Sequence, residues 1–196
     1  MRVDEQSMSK INKALSSPKE LGGVFEPVFS TTHMGKGALV VKGLVRWGEK
    51  KDAVNIPHGI HEFHTHPNAC TPTECYSDMP SATDMRIITA DFTQGNVSHT
   101  VFSQLFTYVC SPGPSLKRDI LNTPNGRQRQ AKVDDIVRRF EAFEAMMRAE
   151  GVTAKNMRSY SDRWMRLARR LGFSIQRLRR GERPVIRFRV HGGKTR

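Results

Sequence analysis

The chain has 196 residues, 37% hydrophobic and 26% charged, enough for one buried core with a smaller appendage. No run approaches the roughly 18 apolar residues of a membrane helix, and Met1-Arg2-Val3-Asp4-Glu5-Gln6 has no apolar stretch behind a basic head, so neither a membrane span nor a secretory signal is expected. Three cysteines, an odd number, suggest no disulfide framework and point to an intracellular setting, cytosol or nucleus.

Met8, Ile11, Ala14 and Leu15 recur at helical spacing and predict a helix over 5–16, with Ser7 as cap and Pro18 as stop. Leu21 to Ser30 and Ala38 to Trp47, rich in Val, Phe and Leu, predict strands about a turn at Met34-Gly35-Lys36-Gly37. Pro57 and Gly59 precede a strand from Ile60 to His66. Residues 67–80 contain Pro67, Pro72 and Pro80 without an apolar period and predict a polar loop. A helix opens near Ser81 and runs through Ile87 and Ile88, and strands follow over 97–104 and 105–110. Ser111-Pro112-Gly113-Pro114 punctuates the chain, and the Pro/Asn-rich stretch to Gly126 reads as loop. Val133, Ile136, Val137, Phe140, Phe143 and Met147 then mark one face of a long helix ending at Gly151. A second helix is expected over 161–171, with Tyr160 and Trp164 as core anchors and Gly172 as stop. The last expected element is a hairpin of Phe173–Arg179 with Pro184–Val190.

The net charge of +13 is unevenly placed. Residues 1–114 hold 10 Lys and Arg against 11 Asp and Glu, whereas residues 115–196 hold 22 against 8. Two units are therefore expected, 1–114 and a basic extension, 115–196, packed on it. Arg163, Arg166, Arg169 and Arg170 lie outward on the 161–171 helix, and Arg177, Arg179, Arg187 and Arg189 crowd the hairpin. Guanidinium groups clustered in this way suit phosphates or carboxylates, so nucleic acid or an acidic protein surface is the expected partner of this part.

His64-Thr65-His66-Pro67 carries the chemistry. Side chains two apart on a strand share a face, so both imidazoles can converge on one metal ion. Asp84, in Pro80-Ser81-Ala82-Thr83-Asp84, can supply a third ligand from the start of the following helix. Three protein ligands and an open fourth position are what a catalytic zinc requires. Ser81-x-x-Asp84 also has the form of a helix capping box.

The order His64-x-His66-Pro67, then Ser81-x-x-Asp84, resembles the JAMM motif of the MPN/JAB-domain metalloproteases. The family pattern adds an upstream glutamate where the first helix meets a strand. Lys19-Glu20-Leu21-Gly22-Gly23-Val24-Phe25 supplies it in Glu20, ahead of Glu26, Glu49 and Glu62. The resemblance covers roughly residues 5–112. It implies an α/β/α sandwich with a curved mixed sheet, here extended by a basic helix–helix–hairpin region. It also implies one catalytic Zn2+ on His64, His66 and Asp84, with Glu20 as general base and acid and Ser81 as a hydrogen-bond donor to the oxyanion. The implied substrates are peptide or isopeptide bonds of ubiquitin or a ubiquitin-like modifier.

The loop from Asn68 to Pro80 is longer than is usual in that family. It holds Cys70 and Cys75, which with His58 or His61 would make a second, structural metal site, and Asp78, the rival of Asp84 as ligand. Two other functions remain open at this point: a nucleic-acid-associated protein, as among RadC-type relatives, and a non-catalytic MPN scaffold subunit.

Overall fold

A computed structural model describes residues 2–16, 20–29, 37–46, 61–67, 70, 73–75, 78–92 and 98–185. Among them the chain runs β1 (Arg2–Val3), α1 (Glu5–Leu15), β2 (Leu21–Phe29), β3 (Gly37–Arg46), β4 (His61–Thr65), α2 (Ala82–Asp91), β5 (Ser98–Phe102) and β6 (Phe106–Pro112). It continues through α3 (Pro114–Leu121), α4 (Gly126–Glu150), α5 (Met157–Arg170) and β7 (Phe173–Arg179). The class is mixed α/β. All seven strands join one sheet in the order β1-β3-β2-β4-β5-β6-β7. The β1–β3 and β4–β5 pairs are parallel and the others antiparallel.

Helices cover both faces of the sheet. On one face α1 lays Met8, Ile11 and Leu15 against Val3, Phe25, Phe63 and Phe102. Those rings stack or meet edge-on, Phe25 and Phe63 at 4.5 Å and Phe63 and Phe102 at 5.9 Å between centroids. On the other face Val101, Tyr108, Cys110, Phe173 and Ile175 of the sheet join a larger cluster with α2 to α5. Trp164, 1% exposed, is its largest side chain, wedged between Tyr108 and Phe140 as the sequence suggested. This cluster takes side chains from both sides of residue 114, and β7 pairs with β6 along its whole length.

Three expectations change. The cap of α1 is Asp4, whose carboxylate accepts the Ser7 N–H at 3.0 Å, because a cap lies outside the first turn and Ser7 lies within it. The stretch read as loop after Pro112 contains α3. There Pro114 stands where a missing N–H costs nothing, and Leu116 and Ile120 fall four apart on the buried side. Gly113 is obligatory at this junction, since a Cβ there would lie 2.5 Å from the Gly172 carbonyl oxygen.

The expected hairpin is also redirected. After a turn through Gly181, Pro184 and Val185 meet β1 instead of β7: Val3 N–H donates to Pro184 O at 3.2 Å, and Arg2 bridges Val185. Proline has no N–H to give a ladder, but its carbonyl can still accept. This stitch bends the sheet. Seven flat strands separate their edges by about 29 Å, yet the step from Arg179 at one edge to Pro184 at the other reaches at most about 18 Å. The rest of the expected second arm, 186–190, lies outside the described residues, as does the turn expected at Met34.

Candidate metal centre

β4 is the strand that builds the site. Its odd positions point Phe63 into the α1 face, so Glu62 and His64 face the other way, and His66 continues that alternation just past the strand end. The β2–β4 register pairs Gly22 with His64. A glycine there places no side chain over the imidazole. Carried two residues further, the same register sets Glu20 opposite His66, and the Leu21 N–H bond to Thr65 Oγ1, 2.8 Å, fixes that alignment.

α2 brings the aspartate. Ser81 caps it, with Oγ accepting the Asp84 N–H at 3.1 Å and the Asp84 carboxylate accepting the Ser81 N–H at 2.6 Å. The capping box read from the sequence is therefore real, and it aims the Asp84 carboxylate at the histidines. His64 Nε2 lies 2.9 Å from His66 Nε2 and 3.2 Å from Asp84 Oδ1, and His66 Nε2 lies 3.4 Å from Asp84 Oδ2. All three residues are buried. Among the described residues they form the group whose ligand atoms lie within 4.8 Å of one another, and such a group can hold a metal ion. Asp78, the rival ligand, is directed elsewhere: its Oδ1 accepts the Leu105 N–H at 2.8 Å.

The electrostatics follow the geometry. Burial alone would raise the Asp84 carboxyl, but the charges and hydrogen bonds of His64 and His66 overcome it and hold it well below the usual range. Glu20 is shifted upward, mainly by burial, with His66 pulling it down and Asp84 pushing it up. It feels two members of the cluster, His66 and Asp84, without belonging to it. Asp78, fully buried, is pushed up to about 7 because burial outweighs its backbone hydrogen bonds and the charge of His66.

Two further residues of the site carried no signal in the linear sequence. His99 of β5 places Nε2 2.6 Å from His64 Nδ1, and its Nδ1 lies 3.6 Å from Glu62 Oε2. Glu62, a rival for the role of Glu20, thus sits behind the histidine pair. Glu144 of α4 accepts the Ala82 N–H at 2.6 Å and so holds the first turn of α2, close to Asp84. Burial is the main reason its carboxyl is raised.

Two backbone N–H groups among the described residues after His66 are held by residues from elsewhere in the chain. Cys70 N–H reaches Gln104 Oε1 at 3.1 Å and Cys75 N–H reaches Val152 O at 2.9 Å. Cys70 and Cys75 are joined as a disulfide, their Cα atoms 4.0 Å apart, where the odd cysteine number had suggested none. His61, offered with them as a ligand of a second site, is turned to Ser98 Oγ at 2.7 Å. His58, like Glu49, lies outside the described residues.

The basic surface is also redistributed. Arg177 donates to Ser161 Oγ at 2.7 Å, pairs with Asp162 at 2.8 Å and covers the Phe106 ring. These contacts fasten α5 to the sheet. Arg179 is exposed, as are Arg158, Arg166, Arg169 and Arg170 on α5. Arg187 and Arg189 lie outside the described residues. No helix among the described residues is long and apolar enough to cross a membrane. Compared with family models, with curated protein sequences and with solved structures, the chain matches none.

Proposed function

We propose that this chain is a zinc-dependent metallopeptidase of the JAMM/MPN kind, hydrolysing peptide or isopeptide bonds in conjugates of ubiquitin or a ubiquitin-like modifier. The observation that carries the reading is the convergence of His64 Nε2, His66 Nε2 and an Asp84 carboxylate at 2.9, 3.2 and 3.4 Å. A tetrahedral zinc with ligands at about 2.0–2.1 Å has edges of about 3.3 Å, close to these separations, the last two of which run to the two different oxygens of the Asp84 carboxylate. Two imidazoles and a carboxylate are also a donor set that suits zinc. Bound there, the ion supplies Lewis acidity, polarising a carbonyl oxygen and acidifying water.

The residues of this chain supply the remaining chemistry. Glu20, opposite His66 by register and raised by burial, takes a proton from water and returns it to the departing amine nitrogen. Ser81 uses its oxygen to accept from Asp84 N–H, which leaves its O–H proton to donate to a carbonyl oxygen as negative charge grows there. Burial of His64, His66 and Asp84 keeps competing water away and strengthens each of these interactions.

The test is cleavage of isopeptide-linked ubiquitin dimers by wild type and Glu20→Gln, with zinc content measured on both. The expected result is one zinc in each and turnover by wild type alone, with a loss of about 10²–10⁴-fold in the variant. Cleavage that survives Glu20→Gln undiminished would remove Glu20 from the mechanism. A wild type that holds zinc and cuts none of the dimers would remove ubiquitin.

A second reading is favoured by the exposed Arg158, Arg166, Arg169 and Arg170 on α5: this face attaches the protein to nucleic acid. Binding to duplex or single-stranded probes should then weaken steeply with salt and lose slope when these arginines become glutamine. A salt-independent signal would exclude it.

A further inference from the structure

We propose that His99 and Glu62 are positioning residues for His64, a buried carboxylate–imidazole–imidazole chain that dictates which nitrogen of His64 faces the metal and how its ring is turned. The inference rests on the metal-centre reading above and deepens it.

The distances assign the roles. His64 directs Nε2 at His66 and Asp84, at 2.9 and 3.2 Å, and Nδ1 away from them toward His99 Nε2 at 2.6 Å. A nitrogen that ligates a metal presents its lone pair, so a neutral His64 carries its proton on Nδ1. That N–H donates to His99 Nε2, which must then be a bare acceptor. The His99 proton is consequently on Nδ1, the nitrogen that faces Glu62 Oε2 at 3.6 Å. One tautomer at each ring fits this order, a hydrogen bond at 2.6 Å followed by a charge contact at 3.6 Å that is longer than a hydrogen bond, and the opposite choice at His99 would set two N–H groups against each other.

The sheet makes this arrangement rigid. Parallel pairing sets Glu62 beside His99 and His64 beside Val101, so the three polar side chains share one face, Glu62 and His99 on one rung and His64 two residues along. Glu62 and His99 are each 1% exposed and His64 is 4% exposed, which leaves little room for water to substitute for a missing partner. Burying two imidazoles and a carboxylate in a strand pair is unfavourable unless each is matched to the next. The odd face of the same strand shows the cheaper solution, a phenylalanine cluster. A histidine ligand held through its second nitrogen typically loses ten- to hundred-fold in metal affinity when that partner is removed.

Two measurements on the full chain decide the matter, neither depending on turnover. In the first, chelated protein is titrated with Zn2+ against a chromophoric competitor. Expected is a ten- to hundred-fold weaker affinity for His99→Leu and a smaller loss for Glu62→Leu. His99→Gln should recover most of the loss, because its amide oxygen can accept the His64 Nδ1–H. In the second, ¹⁵N-histidine spectra of zinc-loaded wild type should show His64 protonated at Nδ1 and ligating through Nε2, and His99 protonated at Nδ1. Should His99→Leu fail to fold, the wild-type spectra still decide.

Leucine variants that bind Zn2+ as tightly as wild type, or a His99 proton on Nε2, would overturn this inference while leaving the metal centre intact. A wild type that takes up no Zn2+ would overturn both.

Discussion

Along β4, Phe63 packs between Phe25 and Phe102 beneath α1, while on the opposite face Glu62 and His64 lie beside His99, with His66 just beyond the strand end. Both faces exclude water, yet only the first uses burial in the way that stabilises a fold. Apolar surface removed from water contributes about 25 cal/mol per Å², whereas a buried ionisable group is unfavourable until it is paired. Along β4 the aromatic face is therefore the one whose side chains stabilise by burial alone, and the histidine face carries groups that stabilise only when paired. Departures from the apolar solution inside a core are where function is to be sought.

This division can be broken or sharpened by measurement. The largest effect belongs to the aromatic face. Phe63→Ala should lower the unfolding free energy by about 3–5 kcal/mol in denaturant titrations. A loss below about 1 kcal/mol would mean that the α1 face is not the stabilising one.

The polar side should instead answer to pH. Asp78 has a folded-state value of about 7 against 3.8 when unfolded, so its proton favours the fold. Its contribution is fully present below about pH 4 and is lost as pH rises through about 7, by as much as about 4 kcal/mol. Asp78→Asn keeps an acceptor for the Leu105 N–H and should remove that decline in metal-free protein. Parallel stability curves for wild type and Asp78→Asn across pH 4–8 would refute the assignment.

Next comes the response to metal. Zinc at a hundred-fold excess over its dissociation constant stabilises the protein by about 2.7 kcal/mol. Chelation should lower the melting temperature of wild type and leave Asp84→Asn, which keeps a capping acceptor, unmoved. The smallest effect is expected outside both faces. The exposed Arg86–Asp134 pair, 2.7 Å, should be worth under about 1 kcal/mol, so Arg86→Ala sets the baseline for the other variants.

What the sequence made legible was local. The His64-x-His66 alternation needs only the two-residue period of a strand, and Ser81-x-x-Asp84 needs only the first turn of a helix. Glu20 was marked by its place at the junction before a glycine pair. The rest depends on which elements meet. His99 joins the site through the parallel register with β4, and Glu144 through packing of α4 on α2; neither follows from neighbours in the chain. The same holds for the bond between Cys70 and Cys75 and for the attachment of Arg177 to Ser161 and Asp162 of α5. α3 was hidden for another reason: Pro114 was read as a breaker where it serves as a first helical residue.

The stitch between Val3 and Pro184 has a consequence in time. During synthesis β1 leaves the ribosome before α1 to α5, while the carbonyl it needs arrives after them. Until then the edge of β1 facing away from β3 has an unmatched donor, open to any extended peptide nearby. Contacts between segments so far apart in the chain are slow to form because the intervening loop must first be closed. Closing of the β1 edge is therefore expected as a late event in folding, after β4 and its neighbours have already paired.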